Sequence, residues 1–114
     1  MSDGVELPIE IDVAAVAELR ESGRDFLLLD VREDDEYAIA KIDGSLLVPM
    51  SQLRDRVGDL EEHRKRLIVV HCHHGGRSMQ VTQALRNNGF DQVQNLAGGI
   101  DQWSLQIDPA VPRY

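Results

Sequence analysis

Two short apolar runs constrain this fold more than any other feature: "FLLLDV" (Phe26 to Val31) and "RLIVVHC" (Arg66 to Cys72). Each is continuous rather than alternating, as a strand buried on both faces requires. Such strands need covering elements above and below, and helical patterns follow each of them. Asp12 caps a helix over "VAAVAELRESG", which Gly23 ends. "EDDEYAIA" is a short helix with acids in its first turn, matching the helix dipole. Ser51 caps a helix through "QLRDRVGDLEEHR", and "RSMQVTQALRNNG" forms another. In that helix Val81, Ala84, Leu85 and Asn88 share one stripe, and Gly89 stops it. Shorter strands are expected at "LPIEI" (Leu7 to Ile11), "SLLVP" (Ser45 to Pro49) and "FDQVQNL". "GIDQWSLQI" is a last short helix, before an irregular tail broken by Pro109 and Pro112.

The order is β-α repeated five times. It predicts an α/β fold: a mostly parallel central sheet of about five strands with helices on both faces. A chain of 114 residues fits a single domain over 1–114. In such sheets ligands bind beyond the carboxyl ends of the strands. Asp30, Arg32 and Cys72 are therefore expected on one rim.

Composition excludes several roles. Twelve Lys and Arg stand against twenty Asp and Glu, a net charge of −8. No basic footprint for nucleic acid is present, nor one for an anionic membrane surface. No apolar run approaches a membrane span, and no basic start with an apolar stretch marks a signal peptide. With a single cysteine, a reducing, cytoplasmic location is expected.

That cysteine lies in "VHCHHGGRS" (Val70 to Ser78). Consecutive His71, Cys72, His73 and His74 alternate across a strand, so they converge poorly on a metal. The one other histidine, His63, reads as a solvated surface residue, and no metal is expected. A resolving cysteine is absent, which closes thioredoxin-type chemistry. The remaining reading is a nucleophile in an anion cradle. Gly75 and Gly76 let backbone N–H groups converge, and a helix beginning near Arg77 or Ser78 adds positive potential. A thiol there has a lowered pKa. Cys72 and Arg77 are separated by four residues. This is one fewer than the C-x5-R loop of cysteine phosphatases, so the nest suits a single bound sulfur better than a tetrahedral phosphate.

Three ordered signatures carry a resemblance. "LLDVREDDEYAIAKIDGSLLVPMSQL" presents Asp30, Arg32, Glu36, Tyr37, Ile42, Gly44 and Pro49. "IVVHCHHGGRS" presents Cys72, Gly75, Arg77 and Ser78, and "GFDQVQNLAGGIDQW" presents Gly89, Phe90, Val93, Leu96, Gly98, Gly99 and Trp103. From Phe26 to Trp103 the chain resembles a single-domain rhodanese, a sulfurtransferase of the sulfane-sulfur type. The Cys-His-His-Gly form and the ending "GGIDQWSLQIDPAVPRY" resemble rhodanese domains fused to ubiquitin-activating-like adenylyltransferases. Two departures are visible. Ala40-Lys41-Ile42 stands where the family often has Gly-His-Ile. His73 stands where many members carry Arg or Lys, which makes thiosulfate a poorer donor or one preferred at lower pH.

The resemblance implies that a sulfur moves from a thiosulfate-like or persulfide donor, through a Cys72 persulfide, to a thiol, cyanide or sulfur-acceptor protein. It implies a small anionic donor and no cofactor. His73, His74, Gly75, Gly76, Arg77 and Ser78 would surround the sulfur. Asp30 and Arg32 would form the scaffold behind them, and Trp103 would pack the last helix. Arg77 has two candidate roles: binding the leaving anion, or turning inward to an acid near Asp30, the favoured one. The alternatives are a relay or sensor module acting with a partner, and a phosphatase or arsenate reductase on the same fold.

Overall fold

The computed structural model describes residues 7–114. Five strands run along the chain: β1 (Glu10–Ile11), β2 (Leu27–Asp30), β3 (Leu46–Leu47), β4 (Leu67–His71) and β5 (Gln92–Leu96). They form one sheet in the order β1-β5-β4-β2-β3, and every pairing is parallel. The helices are α1 (Val13–Glu21), α2 (Asp34–Ile39), α3 (Leu53–Arg56), α4 (Gly76–Asn87) and α5 (Gly99–Gln106). The architecture is the α/β class expected, with a sheet that is parallel throughout. No helix among the described residues is long and apolar enough to cross a membrane.

The two apolar runs lie side by side at the centre, with Leu27 opposite Ile68 and Asp30 opposite His71. Strand alternation divides their side chains between two cores. Leu27, Leu29, Val31, Ile68, Val70 and Cys72 join Val81 and Leu85 of α4, with Leu60 and Phe90. Leu28 and Val69 join Val13 and Val16 of α1 and Ile100 and Trp103 of α5. Full burial of each such side chain stabilises the fold by about 1.5–3 kcal/mol.

The connections place the site. After β2 the chain leaves through α2 to β3 on one side. After β4 it leaves through α4 to β5 on the other. The chain thus departs in opposite directions from two adjacent strands, which opens a crevice at their carboxyl ends.

Local chemistry sets the helix ends. The Asp12 carboxylate accepts from Ala15 N at 2.8 Å, as a cap should. Gly23 and Gly89 follow α1 and α4 in the left-handed region, with φ of 72° and 87°.

Four expectations are corrected. The single helix through residues 52–64 is instead a short α3 between two 3-10 stretches, Met50–Gln52 and Val57–His63. Leu60 is the one buried residue of the second stretch, so packing offers little to hold a regular helix there. Ser51 caps no helix; its Oγ donates to Glu33 Oε1 at 2.6 Å. The buried stripe of α4 is Ser78, Val81, Thr82 and Leu85, while Ala84 and Asn88 face outward. The Thr82 hydroxyl is satisfied by donating to Ser78 O at 2.8 Å, so it can occupy the core side. His63 is also not a free surface residue, because its Nδ1 lies 3.0 Å from Arg66 Nη1.

Behind the crevice sits a buried ion pair. Asp30 and Arg32 are wholly inaccessible. Arg32 Nη2 meets Asp30 Oδ2 at 2.7 Å, and Nε meets Oδ1 at 3.0 Å. Removing one member of such a pair leaves a bare charge in the interior. Arg32→Leu should therefore lower the unfolding free energy by about 3–5 kcal/mol in urea titration. A loss below about 1 kcal/mol would show that the pair is dispensable.

Candidate active site

Cys72 follows the last residue of β4, and its side chain points toward α4. Only 1% of the residue is exposed. Gly75, with φ 113°, turns the chain into α4. This left-handed turn brings Gly75 N within 3.2 Å of Cys72 Sγ and Ser78 N within 3.3 Å. Ser78 Oγ lies at 3.3 Å. Burial alone pushes the thiol pKa up. The Ser78 hydroxyl and the backbone N–H groups of Ser78, Gly75 and His74 outweigh it and leave the pKa below its ordinary value.

The carbonyl groups of the same loop are drawn elsewhere. Ile100 N donates to Cys72 O at 2.9 Å, and Asp101 N donates to His73 O at 3.1 Å. These donors open α5, so its first turn occupies the loop's acceptors. Close approach is what makes this possible. A Cβ on Gly99 would stand 2.6 Å from Cys72 O and 2.5 Å from His73 O. With φ 61°, Gly99 also has a backbone that favours glycine.

Ser78 Oγ has a second partner, Asn95 Oδ1 on β5. Asn95 is oriented by donating from Nδ2 to Gly75 O at 3.2 Å and to Glu10 Oε2 at 3.1 Å. One hydroxyl proton serves two acceptors. Ser78 can give it to Asn95 while the thiol is protonated, and to Sγ when the thiolate forms.

Arg77 turns away from the thiol. Its Nη1 and Nη2 grip Glu36 Oε1 and Oε2 at 2.7 and 2.9 Å. The acid it meets belongs to α2; Asp30 is already held by Arg32. Glu36 also accepts from Glu33 N at 3.1 Å and from the Tyr114 hydroxyl at 2.8 Å. The Arg77 bond is the main cause that holds the Glu36 carboxyl down at about 2. The latch therefore stabilises the fold above the ordinary carboxyl pKa, and that contribution is lost as pH falls toward about 2.

The two loop histidines lie at the mouth. His73 is half-buried and His74 exposed. Their rings stack at 3.9 Å, and Tyr114 stacks on the other face of the group at 3.9 Å from His73. His71 lies apart: its Nε2 is 3.8 Å from Asp30 Oδ2, both of them wholly buried. Burial lowers the His71 pKa to about 4, so the ring stays neutral. No group of three metal-ligating side chains occurs among the described residues. Trp103 is buried against α1 and the sheet, away from the crevice.

Cys72, Gly75 and Ser78 thus meet at the buried thiol, with Gly76 and Arg77 in the first turn of α4 and the loop histidines at the surface beside them. Asp30 and Arg32 sit beneath. Sequence reasoning missed Asn95, the close backbone approach at Gly99, and the place of Tyr114 at the site. It placed Glu36 in a pattern without a partner. An acid in the first turn of α2, across the crevice from an arginine, was the available signal for Glu36. Tyr114 had none beyond being a lone aromatic in a proline-rich tail.

Comparison with known proteins gives a consistent picture. The model of the rhodanese-like domain matches residues 12–106. A rhodanese-like/PpiC domain-containing chloroplastic protein of Arabidopsis thaliana is 39% identical over 89 residues, covering 76% of this chain and 30% of the relative. The probable adenylyltransferase/sulfurtransferase MoeZ of Mycobacterium tuberculosis is 36% identical over 94 residues, covering 82% of this chain and 24% of that protein. The chain thus spans less than a third of these curated relatives. The structure of the human single-domain sulfurtransferase TSTD1 superposes with a TM-score of 0.76 at 26% identity, covering 88% of this chain and 98% of the other.

The cradle makes a direct prediction. Ser78→Ala removes the hydroxyl donor and should raise the Cys72 pKa. The rate of iodoacetamide alkylation against pH reads it. An unmoved midpoint would mean that the Ser78 hydroxyl does not hold the thiolate.

Proposed function

The chain belongs to the family of rhodanese-like domains, and we propose on that footing that it is a sulfurtransferase working through a persulfide on Cys72. The observation that carries this reading is the cradle itself. A lone thiol receives the Gly75 and Ser78 N–H groups and the Ser78 hydroxyl, while the carbonyls beside it are tied to α5. Such donors stabilise a sulfur anion and need no reorganisation when it forms.

In the first half-reaction the Cys72 thiolate attacks the outer sulfur of the donor. A bond forms between Sγ and that sulfur, and the donor's sulfur–sulfur bond breaks. With thiosulfate the electron pair leaves with sulfite. With a persulfide donor it leaves with a thiolate. In the second half-reaction cyanide or a thiolate attacks the terminal sulfur, and the Cys72 thiolate is regenerated. The cycle is ping-pong with a covalent intermediate. His73, His74, Gly75, Gly76, Arg77 and Ser78 frame the sulfur, and Asp30 and Arg32 support the floor. The proposed substrates are a small anionic sulfur donor and a thiol or sulfur-acceptor protein, in the cytoplasm.

One observation favours a second reading, a relay module that needs a partner. Cys72 is almost inaccessible, so a docked protein would have a reason to open the mouth. Turnover with purified protein and small substrates alone separates the two.

Incubation with thiosulfate should add one sulfur atom to the intact mass, and a thiol should remove it. Cys72→Ser should show no gain and reduce transfer to cyanide to the uncatalysed background while the fold persists by circular dichroism. Transfer retained by this variant would end the proposal.

A further inference from the structure

The segment 108–114 returns across α5 to the mouth of the crevice. Val111 is buried, and its carbonyl accepts from the Ser104 hydroxyl. Arg113 Nε meets Asp101 Oδ1 at 2.9 Å. These anchors deliver Tyr114 to the site. Its hydroxyl accepts from Arg32 Nη1 at 3.1 Å and donates to Glu36 Oε2 at 2.8 Å. Its ring lies nearly parallel to His73, at 10°, with His74 stacked on the same imidazole.

The result is a mouth whose cations are all engaged. Arg77 is held by Glu36, Arg32 by Asp30, and Arg113 by Asp101. Of the two histidines at the mouth, His74 is exposed and lies 4.0 Å from Asp101, and His73 is the one that Tyr114 covers. The Nε2 of His73 is buried with no hydrogen-bond partner. An imidazolium in that position would bury an unpaired N–H.

We infer that Tyr114 determines the donor class of this site: by covering His73 with its ring, it withholds positive charge from the donor and disfavours sulfonate-bearing thiosulfate relative to a persulfide. This rests on the sulfurtransferase reading above. Thiosulfate brings a sulfonate that must be carried to the mouth and released as sulfite. A persulfide brings its sulfur on a thiol and releases a thiolate, with no sulfonate to pair. Tyr114 acts here as a positioning residue, through His73.

The groups that face His73 are His74 on the loop, Tyr114, Asp101 on α5 and Glu36 on α2. Burial and the neighbouring His74 lower its pKa, against Asp101, Glu36 and a backbone hydrogen bond with Tyr114, which raise it. An alanine at 114 keeps the backbone hydrogen bond and leaves both carboxylates in place, while it reduces the burial of the imidazole. The imidazole then titrates closer to its ordinary value of about 6.5.

The test measures kcat/KM for thiosulfate and for glutathione persulfide, with cyanide as acceptor, at about pH 6 and about pH 8. Each variant is compared with wild type at the same pH. Tyr114→Ala should raise the thiosulfate-to-persulfide ratio about fivefold at the lower pH, mainly through KM, and much less at the higher pH. Tyr114→Phe keeps the stack and should stay near the wild-type ratio. Adding His73→Gln to Tyr114→Ala should abolish the gain. An unchanged ratio, or an equal fall for both donors at both pH values, would overturn the role of Tyr114. Intact mass of the wild type distinguishes the deeper failure, since a chain that takes sulfur from neither donor would overturn the sulfurtransferase reading itself.

Discussion

A guanidinium cut off from water must find a partner for each of its five N–H groups, and Arg32 does so from three parts of the chain. Asp30 on the adjoining strand end takes Nε and one Nη2 proton. The carbonyls of Ala40 and Glu36 bind at 2.7 and 3.3 Å and fix the C-terminal turn of α2. The Tyr114 hydroxyl takes the last proton. Coulombic gain in such a pair is offset largely by desolvation. What the arrangement secures is geometry. It sets where α2 lies relative to the end of β2, and so where Glu36 stands to receive Arg77.

The positive environment of Cys72 is built from backbone rather than side-chain charge. In a chain with net charge −8, long-range attraction of an anion is unfavourable. The nearby guanidinium of Arg77 is neutralised by Glu36. The remaining source is the ring of N–H groups at the start of α4, and it is effective because the opposing carbonyls are occupied by α5. Gly75 makes the first half possible and Gly99 the second. Two short helices, separated by a strand, thus meet head-on at one thiol.

Much of this was legible in the sequence, for a physical reason. Continuous apolar runs such as "FLLLD" and "RLIVV" can only be central strands, and their ends fix the rim. Cys72, Gly75 and Ser78 follow such an end directly, so their meeting is local and readable. Glu36 and Arg77 are 41 residues apart, and Arg32 and Tyr114 are 82 apart. Pairings of that kind depend on how α2 and the segment after α5 pack, which no local pattern encodes. The 3-10 stretches around α3 were misread for the same reason. A helical propensity was present, but the packing that sustains a regular helix was not. The stripe of α4 was off by one position because a threonine with its hydroxyl satisfied internally is as acceptable to the core as an alanine.

The division of faces explains why the four consecutive residues from His71 to His74 take different roles. His71 has the parity of Asp30 and looks toward α1 and α5, where burial keeps it neutral. Cys72 has the parity of Leu29 and Val70 and looks toward α4, into the cradle. Beyond Cys72 the strand has ended, alternation no longer applies, and both following imidazoles stack at the mouth. The same backbone therefore sends one side chain to each face of the sheet and two to the mouth within four residues. The length of the loop completes the argument. With four residues between Cys72 and Arg77, the N–H groups of Gly75 and Ser78 close on Sγ at 3.2 to 3.3 Å while the Arg77 side chain is turned to Glu36.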